Sequence, residues 1–216
     1  MSSNHHAKDE TLMRFAAGTL AAGPSLVVEA HLAGCSTCRA RIAEYEAVGG
    51  SFLEDIEPTQ LSETALADTL AMIDQEDEMP APVSAQKPVE IDGIRLPDAL
   101  RGCDIGRWRW AGPGVRMSRV GVPHDPEANL ILLKVGPGRA LPDHGHVGTE
   151  FTYIVSGSYT DRFGQFRPGD LAEMDEDVEH QPIVDQGADC ICLAAMEGRM
   201  RFNSVIGRML QPIFGI

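Results

Sequence analysis

Apolar residues recur at helical spacing through the first third of the chain. Leu12, Phe15, Ala16 and Leu20 follow an acidic start at Asp9-Glu10-Thr11, which predicts a capped helix. Gly23-Pro24-Ser25 breaks that pattern and opens a second helix through Val27, Val28 and Leu32. A third is expected from about Ser36 to Phe52, with Ile42, Tyr45 and Val48 on one side. A fourth, from Ser62 to about Ile73, carries Leu66, Leu70 and Ile73 on one face. Four short helices of this kind predict a small bundle. Further along, the period changes. Residues 130–135 (LILLKV), 151–155 (FTYIV) and 190–194 (CICLA) are β-rich runs of strand length. Gly136-Pro137-Gly138, Ser156-Gly157-Ser158 and Pro168-Gly169-Asp170 punctuate them, which predicts an all-β sandwich or barrel.

Between the two patterns, Gln75 to Pro88 (QEDEMPAPVSAQKP) holds an acidic run and three prolines. Such a composition builds no core and reads as a semi-extended linker. The expected organisation is two domains, helical over residues 1–76 and all-β over 89–216, with the linker over 77–88. At 216 residues the chain is long enough to bury a sizeable core. Its net charge of −14 is uneven: residues 1–85 carry 14 acids against 4 bases, residues 86–216 carry 18 against 14. An acidic surface repels nucleic acid and membrane phosphates and suits a basic protein partner. No direct nucleic-acid binding and no membrane association are therefore expected. No apolar run approaches the roughly 18 residues of a membrane span. Met1-Ser2-Ser3-Asn4-His5-His6 lacks the basic start and apolar core of a signal peptide, so a cytoplasmic location is expected. Five cysteines, an odd number, read as reduced thiols with some serving as metal ligands.

Two constellations carry chemistry. His31-Leu-Ala-Gly-Cys35-Ser-Thr-Cys38 puts an imidazole one helical turn before a Cys-x2-Cys pair, on one face if the helix runs that far. Two thiolates at this spacing converge on one ion, and zinc wants a fourth ligand, for which His5 and His6 are the candidates. A redox pair of the thioredoxin kind would instead open a helix after a strand, and no strand precedes Cys35. In the second half, His144 and His146 share a face if the segment is a strand, and a bend at Gly148 brings Glu150 beside them. His180 lies 30 residues beyond Glu150, far enough to cross the fold and return. Three imidazoles and a carboxylate suit Zn, Fe, Mn, Ni or Cu. Cys190 and Cys192 share a strand face, either lining the interior or facing out.

The helical motif resembles the zinc-binding anti-sigma domain, which implies His6, His31, Cys35 and Cys38 as its ligands; His5 stands at nearly the same spacing as His6. The run from Gly138 to Gly157, G-x5-H-x-H-x3-E-x6-G, is similar to the first cupin motif at every position. The second cupin motif departs from its usual form. Pro168-Gly169 replaces Pro-x-Gly, and no Asn follows His180 at the usual distance. A small four-helix zinc-binding domain followed by an antiparallel cupin β-barrel resembles the ChrR-type anti-sigma factors along essentially the whole chain. The resemblance implies an extracytoplasmic-function sigma factor as partner, held by the helical domain. It also implies release on singlet oxygen or organic hydroperoxide through the cupin domain, with His144, His146, Glu150 and His180 as cupin ligands. The expected complement is two Zn2+ per chain, one per domain, and no enzymatic activity. The alternative is a metal-dependent cupin enzyme such as a dioxygenase, which the same ligand set would serve.

Overall fold

The structure is a computed structural model and describes residues 3–74 and 87–202, without the side chains of His146 and Arg199–Phe202. Residues 77–86 of the expected linker lie outside the described residues. Four helices come first: α1 (Asp9–Ala16), α2 (Ala22–Leu32), α3 (Ser36–Glu54) and α4 (Ala65–Asp74). α1 stops short of Leu20 because Gly18 turns left-handed at φ 67°, and the Thr19 N–H returns to the Arg14 carbonyl at 2.9 Å. α2 takes Gly23 and Pro24 into its first turn, where an N–H has no helical partner to lose. It ends at Leu32. His31 and Cys35 are therefore not on one continuous helix: Cys35 instead caps α3, its thiol accepting the Cys38 N–H at 3.4 Å.

The helices do not form a bundle of their own. α1 packs on α3, α2 lies against the sheet, and α4 buries none of its residues. The reason is visible in α2, whose Gly23, Pro24, Val27, Val28, Ala30 and His31 are all buried. A helix apolar on nearly every side needs cover on more than one, and the sheet supplies it.

The remaining elements are short antiparallel strands. A hairpin of β1 (Glu90–Ile91) and β2 (Ile94–Arg95) leads through a 3-10 turn at Asp98–Leu100 into β3 (Asp104–Ile105). Then come β4 (Arg109–Gly112), β5 (Val115–Gly121), β6 (Leu130–Val135), β7 (His144–Val147) and β8 (Glu150–Ser156). The last six are β9 (Tyr159–Asp161), β10 (Gly164–Phe166), β11 (Leu171–Met174), β12 (Ile183–Val184), β13 (Cys190–Met196) and β14 (Arg199–Phe202). A seven-stranded sheet runs β11-β8-β13-β6-β5-β3, with β4 also on β5. A second, broken layer contains β10-β9-β12 and β14-β7, linked through isolated bridges Ala140–Ile183 and His144–His180.

Among the described residues strand pairing does not close into a barrel, which corrects the expectation of a closed one. The second layer consists of two- to four-residue strands, and its pairing thins to single bridges where the chain bends around His144 and His180. The large sheet is buried on both faces. On β6 and β13, Leu130, Leu132, Leu193 and Ala195 face the helices with Val27, Val28 and Leu12. The alternate residues Ile131, Leu133, Cys192 and Ala194 face the second layer with Tyr159, Phe166 and Val184. This explains why every residue of β13 is buried and its apolar run shows no alternation.

Two candidate metal centres

The first cluster sits where α2 hands over to α3. His31 is the last buried residue of α2, and its carbonyl accepts both the Gly34 and Cys35 N–H groups, which tightens the turn. That turn swings the Cys35 thiol back toward Cys38 in the first turn of α3. His6 arrives from the N-terminal segment, with its Nδ1 3.3 Å from Cys35 Sγ and 3.5 Å from Cys38 Sγ. His31 Nε2 lies 3.3 Å from Cys38 Sγ. All four donor atoms fall within 4.8 Å of one another; His31, Cys35 and Cys38 are buried and His6 is exposed. His31 Nδ1 faces the Gly169 carbonyl at 2.8 Å, an acceptor only, so Nδ1 carries the proton and Nε2 turns its lone pair to the thiols. Burial holds the His31 imidazole below its ordinary pKa, the Gly169 bond opposing it. Burial, with the neighbouring Cys35 thiol, pushes Cys38 up to about 11. Two soft sulfurs and two neutral imidazoles at this spacing fit a tetrahedral Zn2+.

His5 goes elsewhere. Its Nε2 donates to the Gln165 carbonyl at 3.1 Å and its ring stacks on Phe166, with centroids 4.1 Å apart.

The second cluster lies inside the β half. The mutual bridge between His144 and His180, with N–H to carbonyl distances of 3.2 and 3.1 Å, sets the two rings 4.7 Å apart. Gly148 supplies the bend that brings Glu150 round, at φ 97°. A Cβ there would stand 1.7 Å from the Glu197 carbonyl oxygen, so only glycine fits. His144 Nε2 and Glu150 Oε2 are 3.6 Å apart. Burial works to lower the His144 pKa, but the Glu150 carboxylate carries it above the ordinary value. Thr152 Oγ1 donates to Glu150 Oε1 at 2.7 Å, which orients the carboxylate. Nδ1 of His144 donates to the Pro142 carbonyl at 2.9 Å, and Nδ1 of His180 to Asp161 Oδ2 at 3.0 Å. Both Nε2 atoms are thereby turned to the cluster, where they could hold an ion. Donor atoms of His144, Glu150 and His180 lie within 4.8 Å of one another. His146 stands two residues from His144 on β7, and its side chain is outside the described residues.

Sequence reasoning missed Asp161, Thr152 and the Gly169 carbonyl. None has a motif of its own; only the fold aims them at the ligands. Cys190 and Cys192 face the inner core beside Ala194 and Met196. Burial pushes Cys190 up to about 12 and Cys192 well above its ordinary value, so both behave there as small apolar groups.

Residues 98–198 match the model of the ChrR cupin-like domain, and residues 9–39 match that of a zinc-finger family. Along 100% of its length the chain is 40% identical to the anti-sigma-E factor ChrR of Cereibacter sphaeroides, which it covers to 100%. A crystal structure of Rhodobacter sphaeroides SigE in complex with the anti-sigma ChrR is similar at a TM-score of 0.71 and 41% identity, over 91% of this chain and 100% of that one. With likeness at this level over the whole chain, and with both family models met in the same order, this chain belongs to the ChrR-type anti-sigma factors.

Proposed function

We propose that this chain sequesters an extracytoplasmic-function sigma factor through its N-terminal helices in the cytoplasm. It releases that partner under oxidative stress, on singlet oxygen or organic hydroperoxide, through its cupin half. The observation that carries the reading is a run of large apolar side chains with no cover among the described residues. Along the end of α3, in α4 and between them, Phe52 is 66% exposed, Ile56 63%, Leu66 73% and Ile73 71%. Large apolar side chains exposed in succession along one stretch of chain mark a protein-binding surface. From Arg41 to Lys87 the sequence has no basic residue between, while Glu54, Asp55, Glu57, Glu63, Asp68 and Asp74 flank the apolar positions. An apolar face rimmed only by carboxylates selects a basic partner, as a DNA-binding sigma factor must be on its nucleic-acid surface.

In this reading Zn2+ takes the set His6, His31, Cys35 and Cys38, where it supplies a structural cross-link. A second divalent ion takes His144, His146, Glu150 and His180. Pinning the N-terminal segment to α2 and α3 fixes the base from which α3 and α4 project. The test is calorimetric titration of the purified chain into an extracytoplasmic-function sigma factor from the same cell. A tight one-to-one complex that excludes core RNA polymerase is expected. Absence of measurable binding by the zinc-loaded chain would end the anti-sigma reading.

A further inference from the structure

The outer support of the N-terminal cluster comes from the β half of the chain, on a single turn. Asp170 is 2% exposed, and its two oxygens do different work. Oδ2 accepts the Arg167 N–H at 2.9 Å and closes the turn itself. Oδ1 accepts the backbone N–H groups of Asn4 at 2.7 Å and His5 at 3.2 Å. The His5 carbonyl in turn accepts the Leu171 N–H at 3.3 Å, so the residue before His6 is held at both backbone groups. The neighbouring Gly169 carbonyl accepts His31 Nδ1–H at 2.8 Å and the Ser3 hydroxyl at 3.0 Å. Two consecutive residues of one turn therefore place two of the four donors, His6 and His31, which are far apart in sequence. The turn is closed by the Oδ2 bond and by the Asp170 N–H on the Arg167 carbonyl at 2.9 Å, and Oδ1 takes no part in it. The second oxygen, buried against two amides of the N-terminal segment, serves the segment that carries His6. Charge-assisted bonds to backbone amides are among the stronger kind, and removing the acceptor leaves those amides unpaired.

We propose that Asp170 is a positioning residue for the N-terminal metal site. The Gly169–Asp170 turn supplies the hydrogen bonds that orient its ligands, so that site's affinity for a divalent ion depends on the cupin half. The inference rests on the reading of His6, His31, Cys35 and Cys38 as ligands. β11 starts at the residue after Asp170 and ends at Met174, paired with Glu150 of the second cluster. One four-residue strand thus runs from the clasp on the first site to a donor of the second.

The experiment uses the full-length metal-free chain and Co2+ as the probe. Sulfur-to-cobalt charge-transfer absorption reports the Cys35–Cys38 site alone, while total bound cobalt reports both. Asp170→Ala is expected to weaken binding at the absorbing site by roughly 10- to 100-fold, the usual loss when an outer hydrogen-bond partner is removed. Binding at the sulfur-free site is expected to change less than threefold. Asn4→Pro removes one of the donated amides without touching the turn, and a loss of several-fold at the same site is expected even if Asp170→Ala does not fold. Unchanged cobalt affinity in Asn4→Pro and in any folded Asp170→Ala would overturn the proposal. So would an equal loss at both sites, which marks a general structural defect. A wild-type chain without the sulfur band would instead refute the ligand reading beneath it.

Discussion

At the residue scale, one device recurs at both centres. His31, His144 and His180 each donate Nδ1–H to an oxygen of the protein, which commits Nε2 to the cluster. The partner differs, and the difference has consequences. Gly169 and Pro142 offer neutral carbonyls, whereas Asp161 offers a carboxylate whose side chain is shut off from solvent. A carboxylate partner holds the ring in place more firmly and strengthens it as a ligand. Asp161→Asn is therefore expected to weaken divalent-ion binding at the second site by about 10- to 100-fold and to leave the thiol site unchanged. Competition against a chromophoric chelator measures both, and full retention at the second site would refute the role. The clustered donors were legible because His31, Cys35 and Cys38, or His144 and Glu150, stand close enough in sequence to form a motif. Their supports were not. Gly169 acts through a carbonyl that every residue possesses, from 138 positions away, and sequence carries no mark of that.

At the element scale, the periodic pattern located all four helices and three of the four long strands of the large sheet, missing β5, with ends displaced by a few residues. What it misread was which surface each apolar face meets. Leu66, Leu70 and Ile73 keep helical spacing, which reads as a core face, yet α4 buries none of its residues. The pattern was sound, and in the proposed reading the sigma factor supplies the surface that covers it. α2 shows the converse: its apolar residues were assigned to a helical bundle and pack instead on β8 and β13. The β half was legible as short strands, but not as two unequal layers, because strands of two or three residues leave too little pattern to read. A sharp consequence attaches to α4. Leu66→Glu with Leu70→Glu keeps helix formers on an exposed face, so each change is expected to alter stability by no more than about 0.5 kcal/mol. The same pair is expected to weaken sigma-factor binding at least tenfold, or about 1.4 kcal/mol. Thermal melts and calorimetry read the two effects separately; unchanged affinity would move the docking surface off α4.

For the whole molecule, the helices and the large sheet share one core. Leu12, Val27 and Val28 pack with Leu132, Phe151 and Leu193, and the Arg14 guanidinium grips both oxygens of Glu197 at 3.0 and 2.6 Å. No helix among the described residues is long and apolar enough to cross a membrane. In the proposed reading a change at Glu150 reaches the N-terminal segment through β11, which pairs with Glu150 at one end and follows Asp170 at the other. A stimulus shifts such a protein only by stabilising one of its states over another. In the proposed reading the second cluster is that lever, because its donor residues lie in the β half, away from the exposed apolar residues of α3 and α4. The most direct measurement is a sigma-dependent reporter, read with and without singlet oxygen in cells carrying the wild-type chain, His144→Ala or Glu150→Ala. The account predicts full basal repression in all three and induction in the wild type alone. Normal induction in both variants would contradict it.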